Sequence, residues 1–215
     1  MRVVIAGGHG QIALRLERQL SQAGHQPVGL IRNPAQAGDL EQAGAEPVVL
    51  DLEQASAEEL SEIVRGADAV VFAAGGGPNS GAARKETVDR GAAALLADAA
   101  ERVGVRRYLM ISSMGTDQAD PDSDDIFQVY LRAKAAADAD LRTRDLDWTI
   151  VKPGRLTDAD GTGTVTTDPG AEPRETPRED VAAVLVAALE DGLAVRKEFA
   201  LLTGETPIRE ALAGL

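Results

Sequence analysis

Apolar positions along the chain fall into short runs, each followed by a longer stretch in which they recur every three or four residues. Arg2-Val3-Val4-Ile5-Ala6 is the first run, rich in β-branched residues as a buried strand is. Ile12, Leu14, Leu16 and Leu20 then alternate with Arg15, Glu17, Arg18 and Gln19, which predicts an amphipathic helix. The alternation repeats to the end. Further strands are predicted at Val28–Ile31, Pro47–Leu50, Ala69–Ala74, Arg107–Ile111, Trp148–Val151 and Phe199–Leu202. Helices are predicted to about Ala43, over Glu58–Val64, from about Arg84 to Val103, from about Phe127 to Arg144, and over Val181–Leu189, with a last short one after Pro207. Ser56 with Glu59 forms a capping box, and Thr176-Pro177-Arg178-Glu179 reads as a helix start with Thr176 as N-cap. Residues 155–175 read as loop.

Strands alternating with helices predict an α/β fold: a doubly wound, Rossmann-like parallel sheet of about seven strands with helices on both faces. With no internal repeat and no linker, residues 1–215 read as a single domain, with a small substrate-side region at about 153–176.

The turn after the first strand carries the chemistry. Gly7-Gly8-His9-Gly10-Gln11-Ile12-Ala13 joins a strand to a helix, the context of a dinucleotide fingerprint. Gly7 permits the sharp turn, Gly10 leaves room for a pyrophosphate, and Ala13 lets the helix pack closely. The anion then meets unpaired amides at the helix N-terminus. The bland alternative is a glycine turn that binds nothing.

Arg32 closes the second strand, where an acid would bond the ribose of NAD and an Arg accommodates a 2′-phosphate. NADP(H) is therefore preferred over NAD(H). Asp51, ending the third strand, is placed to meet the adenine side, or is a plain helix-entry Asp. Tyr130 and Lys134 are four apart on one helix and share a face. Ser112 and Ser113 end the preceding strand, at the edge where such sheets bind ligands. A nearby ammonium and a nicotinamide cation would lower the Tyr130 pKa and make it a general acid or base, with a Ser holding the substrate oxygen. An aromatic packed on a helix beside a solvated Lys is the plain alternative. Asp120, Asp122, Asp124 and Asp125 read as a solvated loop near the site mouth, lacking an EF-hand's Gly and distal Glu.

Composition narrows the classes. Lys plus Arg number 22 and Asp plus Glu 35, a net charge of −13. That argues against nucleic acid or an anionic membrane as partner, and requires an anionic ligand to be held locally. There is no Cys and only two His, His9 and His25, so thiol chemistry is excluded and a metal site is not expected. Without a signal peptide or membrane-length apolar run, a cytoplasmic protein is expected, as monomer or homodimer.

Together these motifs resemble the short-chain dehydrogenase/reductase superfamily in its atypical NAD(P)H-binding branch, which includes NmrA-like proteins and proteins named as epimerases. The resemblance covers nearly the whole chain. It rests on Gly7-x-x-Gly10-x-x-Ala13, Leu30–Pro34, Asp51-Leu52, Val88–Ala92, Val105–Gly115, Tyr130–Lys134, Trp148–Gly154 and Arg178–Ala182. It implies a Rossmann-like fold binding NADP(H), with Ser112 or Ser113, Tyr130 and Lys134 as the active site. Around the cofactor it implies Gly7, Gly8, His9, Gly10, Gln11 and Ile12 from the turn, then Arg32, Asn33, Asp51 and Leu52. Ala73, Ala74, Gly75, Asp89, Ile111 and Lys134 follow, with Pro153 and Gly154 beside the nicotinamide. Asp89 stands where many relatives carry the Asn of a catalytic tetrad. About sixty residues follow the sixth strand, too few for the substrate domain of a sugar-nucleotide epimerase. The expected function is an NADP(H)-dependent oxidoreductase acting on a small carbonyl or alcohol. The alternatives are a non-catalytic NADP(H)-binding sensor and a sugar-type epimerase.

Overall fold

A computed structural model describes residues 1–77 and 80–215. Pro78 and Asn79, in the loop expected after the fourth strand, lie outside the described residues. The chain runs β1 (Arg2–Ala6), α1 (Gln11–Gln22), β2 (Gln26–Ile31), α2 (Ala37–Gln42), β3 (Glu46–Val49), α3 (Ala57–Val64) and β4 (Ala69–Phe72). A short α4 (Ala82–Arg84) continues through a π-helical stretch, Lys85–Ala92, into α5 (Ala93–Val103). Next come β5 (Arg107–Ile111), α6 (Ile126–Thr143), β6 (Asp147–Pro153), β7 (Arg155–Thr157), β8 (Thr164–Thr166) and β9 (Glu175–Pro177). The chain ends with α7 (Arg178–Glu190), β10 (Lys197–Thr203), β11 (Thr206–Pro207) and α8 (Ile208–Ala213).

The α/β, doubly wound class is as expected, but the sheet is larger than seven strands. Nine strands pair in the order β11-β8-β10-β6-β5-β4-β1-β2-β3, and β7 pairs with β9 in a second small sheet. From β3 to β10 all pairing is parallel, while β8 and β11 add antiparallel to the far edge. The stretch 155–175 is thus not plain loop. Its three-residue strands are too short and too rich in Thr to stand out as apolar runs.

Strand side chains divide between two cores. Val3, Ile5, Val71, Leu109 and Val151 pack on one face with Leu16 and Leu20 of α1 and Val181, Val184 and Leu185 of α7. Val4, Val28, Val70, Phe72 and Met110 pack on the other with Leu60 of α3, Leu96 and Ala100 of α5, and Leu141 of α6. Helices cover both faces because the strands are apolar on both. Among the described residues, no helix is long and apolar enough to cross a membrane.

Ser56 and Glu59 form the expected capping box. Thr176 does not cap a helix. It belongs to β9, and its buried hydroxyl donates to the Leu201 carbonyl at 2.5 Å and accepts from the Gly154 amide at 3.2 Å. Helix α7 therefore starts one residue later, after Pro177, with no side-chain cap.

Strand order turns back on itself between β1 and β4, which lie side by side although they are three strands apart in sequence. In doubly wound sheets the crevice at the carboxyl ends of such a pair is where ligands bind. Gly7 follows β1 there, and Ala73 follows β4.

Candidate active site

The turn between β1 and α1 is shaped by two close approaches. Gly7 has φ +84°, and a Cβ on it would lie 2.6 Å from Ala74 Cα. Gly8 is pressed on β2, where a Cβ would lie 2.8 Å from Gly29 Cα. Gly10 differs: its nearest neighbour for a Cβ is the Gly7 carbonyl oxygen at 3.1 Å. Gly10 is the N-cap of α1, yet no side chain caps this helix and no acid occupies its first turn. Its amides therefore remain available to an anion, aided by the helix dipole.

Behind the turn lies Glu17, fully buried, its two carboxyl oxygens without hydrogen-bond partners. A Cβ on Gly29 would lie 2.5 Å from its Oε1. Burial pushes the Glu17 carboxyl up to about 8.

Two clefts meet at this turn, sharing Ala73, Ala74 and Gly75. The first, of about 230 Å³, is lined by Gly7, His9, Gly10, Arg32, Asp51 and Leu52, and also by Gln36, Glu53 and Arg84. Arg32 is where the strand-end reading puts it. Its side chain is 56% exposed and its guanidinium lies 3.9 Å from Glu53. Glu53 also pairs with Arg84 at 3.1 Å and accepts from the Thr87 hydroxyl at 2.6 Å. Asp51 accepts the Glu53 amide at 3.1 Å, so its carboxylate shapes its own loop as well as lining the cleft. His9 is held from behind by Asp39 at 2.7 Å and Gln36 at 2.9 Å.

The second cleft, of about 620 Å³, lies on the other side of the shared wall. It gathers Ile12, Asp89, Ile111, Ser112, Tyr130 and Lys134 from the sequence reading, and adds Lys85, Ile126, Phe127 and Leu156. Tyr130 and Lys134 do share a face of α6. Lys134 lies 3.6 Å from Asp89 and donates to the Ile111 carbonyl at 3.0 Å and the Ala74 carbonyl at 3.4 Å. Asp89 in turn accepts the Gly76 amide at 3.0 Å. Burial lowers the Lys134 pKa, and the Asp89 charge works against that.

Burial pushes Tyr130 up to about 12, the Asp89 charge adds to the rise, and the Ser113 hydroxyl opposes it.

Ser112, one of the two serines expected to hold a substrate oxygen, lines the cavity. Its hydroxyl donates to Asp138 at 2.8 Å, and Asp138 is buried one helical turn beyond Lys134. Asp138 is backed by Lys152 at 3.3 Å, which also pairs with Glu198. Ser113 donates to the Met114 carbonyl at 3.1 Å.

Gly8, Gln11, Asn33, Ser113, Pro153 and Gly154 line neither cleft. Gly154 packs where a Cβ would lie 2.4 Å from Leu202 and 2.7 Å from the Arg174 carbonyl oxygen. Asn33 instead accepts the Ala35 amide at 3.1 Å, capping the turn after β2. Among the described residues, no cluster of acids and His is arranged to hold a metal ion.

Comparison with known proteins agrees with this geometry. Residues 7–192 match a family described as NAD(P)H-binding. The chain is 35% identical to the uncharacterized sugar epimerase YhfK of Bacillus subtilis over 216 residues, covering all of both chains. A solved structure from Bacillus halodurans, whose name proposes an NAD-dependent epimerase/dehydratase, is 37% identical with TM-score 0.90 and full coverage of both chains. The oxidoreductase ylbE of Lactococcus lactis is 26% identical with TM-score 0.87, over 100% of this chain and 96% of that one. The chain belongs to this NAD(P)H-binding family.

Proposed function

We propose that this protein is an NADP(H)-dependent oxidoreductase that reduces a small carbonyl compound, with Tyr130 as the general acid. The observation that carries the reading is the half-buried Tyr130 lining a 620 Å³ cavity that shares a wall with the uncapped glycine turn. The first-turn amides of α1 fit a pyrophosphate, and the space in front of Gly10 would be filled by a larger side chain. Arg32 and Arg84 fit a 2′-phosphate at the rim of the smaller cleft. When bound, the cofactor supplies a hydride, and with it the electron pair that converts C=O to an alkoxide.

The chain's own residues supply the rest. Tyr130 holds a proton at its phenolic oxygen and gives it to the developing alkoxide, so an alcohol results. The Asp89–Lys134 pair fixes α6 against the end of β4 and the Gly75-Gly76 backbone. Ile12, Ile126, Phe127 and Leu156 exclude water from the reacting centre. The sugar epimerase in the name of YhfK is the competing reading. A cavity walled mainly by aliphatic and aromatic side chains suits an apolar carbonyl better than a polyhydroxylated sugar.

The test follows NADPH oxidation over a panel of aryl and alkyl aldehydes and ketones, using wild type and Tyr130→Phe. Turnover by wild type, lost by about 10²-fold or more in the variant at unchanged NADPH affinity, supports the reading. Turnover of Tyr130→Phe at the wild-type rate would overturn the acid role.

A further inference from the structure

Lys85 is a cation with no evident structural debt. It sits on the π-helical stretch, is 4% exposed and lines the larger cavity. Its ammonium donates to the Gly77 carbonyl at 2.6 Å and lies 5.3 Å from the centre of the Tyr130 ring. Among the described residues no carboxylate pairs with it. The cavity wall thus carries two ammoniums, Lys85 and Lys134, against the single carboxylate Asp89, which is taken by Lys134. A buried charge without a counter-ion is costly, and a protein of net charge −13 has carboxylates in abundance with which to neutralise one.

The smaller cleft, which holds Gly10, Arg32 and Arg84, does not include Lys85. At the mouth, Ile126 and Phe127 are exposed by 42% and 58%, among the few large apolar side chains left open to solvent, and Phe127 stacks on Tyr130 with ring centres 6.0 Å apart. The cavity therefore offers an apolar body with one positive end beside the proposed acid.

We infer that Lys85 is the anchor for an anionic group on the substrate, and that the substrate class is a carbonyl compound with an apolar, aromatic-sized body and a carboxylate. This deepens the oxidoreductase reading and rests on it for the carbonyl. The carboxylate pairs with Lys85, while the body lies against Phe127, Ile126 and Leu156. Lys85 and Asp89 lie four apart on a π-helical stretch and both line the cavity, and such distortions of an α-helix gather at functional sites.

Calorimetric titration of 2-naphthoate and of its neutral isostere 2-naphthamide tests this, with and without NADP⁺ present. Wild type is expected to bind naphthoate more tightly by about tenfold or more, the effect of one charge-assisted hydrogen bond. Lys85→Met, confirmed folded by circular dichroism, is expected to lose that preference while keeping its affinity for NADPH, and Lys85→Arg to retain it. Equal affinity of wild type for the two probes, or binding of neither, would overturn the inference without any variant. So would a preference that survives in folded Lys85→Met. A naphthoate preference that depends on Lys85 in a chain that binds no NADP⁺ would uphold the anion site and fell the oxidoreductase reading instead.

Discussion

The Lys134 ammonium stands 3.6 Å from the Asp89 carboxylate, and both side chains are sealed from solvent. Each is further tied to backbone, Lys134 to carbonyls at the ends of β4 and β5 and Asp89 to the Gly76 amide. Removing one partner of a buried pair strands the other. Asp89→Asn is expected to lower stability by about 3 kcal/mol in urea unfolding near neutral pH. Because burial already lowers the Lys134 pKa, the stranded amine sheds its proton more readily as pH rises, so the deficit shrinks at alkaline pH. A variant as stable as wild type at pH 7 would contradict this.

Tyr130 sets a distinct pH profile. With its pKa pushed up to about 12, the phenol keeps its proton across the ordinary range. Carbonyl reduction is expected to show no falling limb from this residue between about pH 7 and pH 10, since the acid form is the one required. A falling limb near neutrality that disappears in a Tyr130 variant with residual activity would mean that the phenol is acidified after all.

Glu17 makes the fold itself sensitive to pH. Its carboxyl titrates near 8 when folded, against a usual value of 4.5. Between those values the folded chain retains a proton that the unfolded chain has lost. Stability therefore falls as pH rises through that window, by at most about 1.4 kcal/mol per pH unit, and the loss is complete above pH 8. Glu17→Gln is expected to match wild type near pH 4.5 and to exceed it increasingly towards pH 8.5 in thermal melts. An unchanging difference between the two proteins over that range would show that Glu17 does not carry a buried proton.

The sheet's parallel body and the glycine turn were legible because their signals are local. Apolar runs such as Val3–Ala6 and Arg107–Ile111 are bounded by turns, and Gly7 and Gly10 sit between strand and helix. The edge strands β8 and β11 were not legible, being only three and two residues long and rich in Thr. Tyr130 and Lys134 were marked by their spacing, but the ion pair of Lys134 with Asp89 was not legible, since Asp89 arrives from another helix. Lys85 gave no signal, because a helical Lys reads as solvated unless the cavity wall that buries it is known. Thr176 misled because Thr-Pro-x-Glu suits a helix start, whereas a long-range bond to Leu201 claims the hydroxyl.

The central claim is a nucleotide site selective for the 2′-phosphate, and it needs no substrate to test. Arg32 lines the smaller cleft with its guanidinium half exposed and only loosely balanced by Glu53 at 3.9 Å. A charge-assisted hydrogen bond contributes on the order of 1.5–3 kcal/mol, which is about tenfold to hundredfold in affinity. Fluorescence titration of NADPH and NADH against wild type and Arg32→Ala is the direct measurement. NADPH is expected to bind wild type more tightly by that factor, and Arg32→Ala to lose the advantage while its affinity for NADH stays the same. Equal wild-type affinities, an Arg32→Ala change that weakens both cofactors alike, or no binding of either nucleotide would contradict the account.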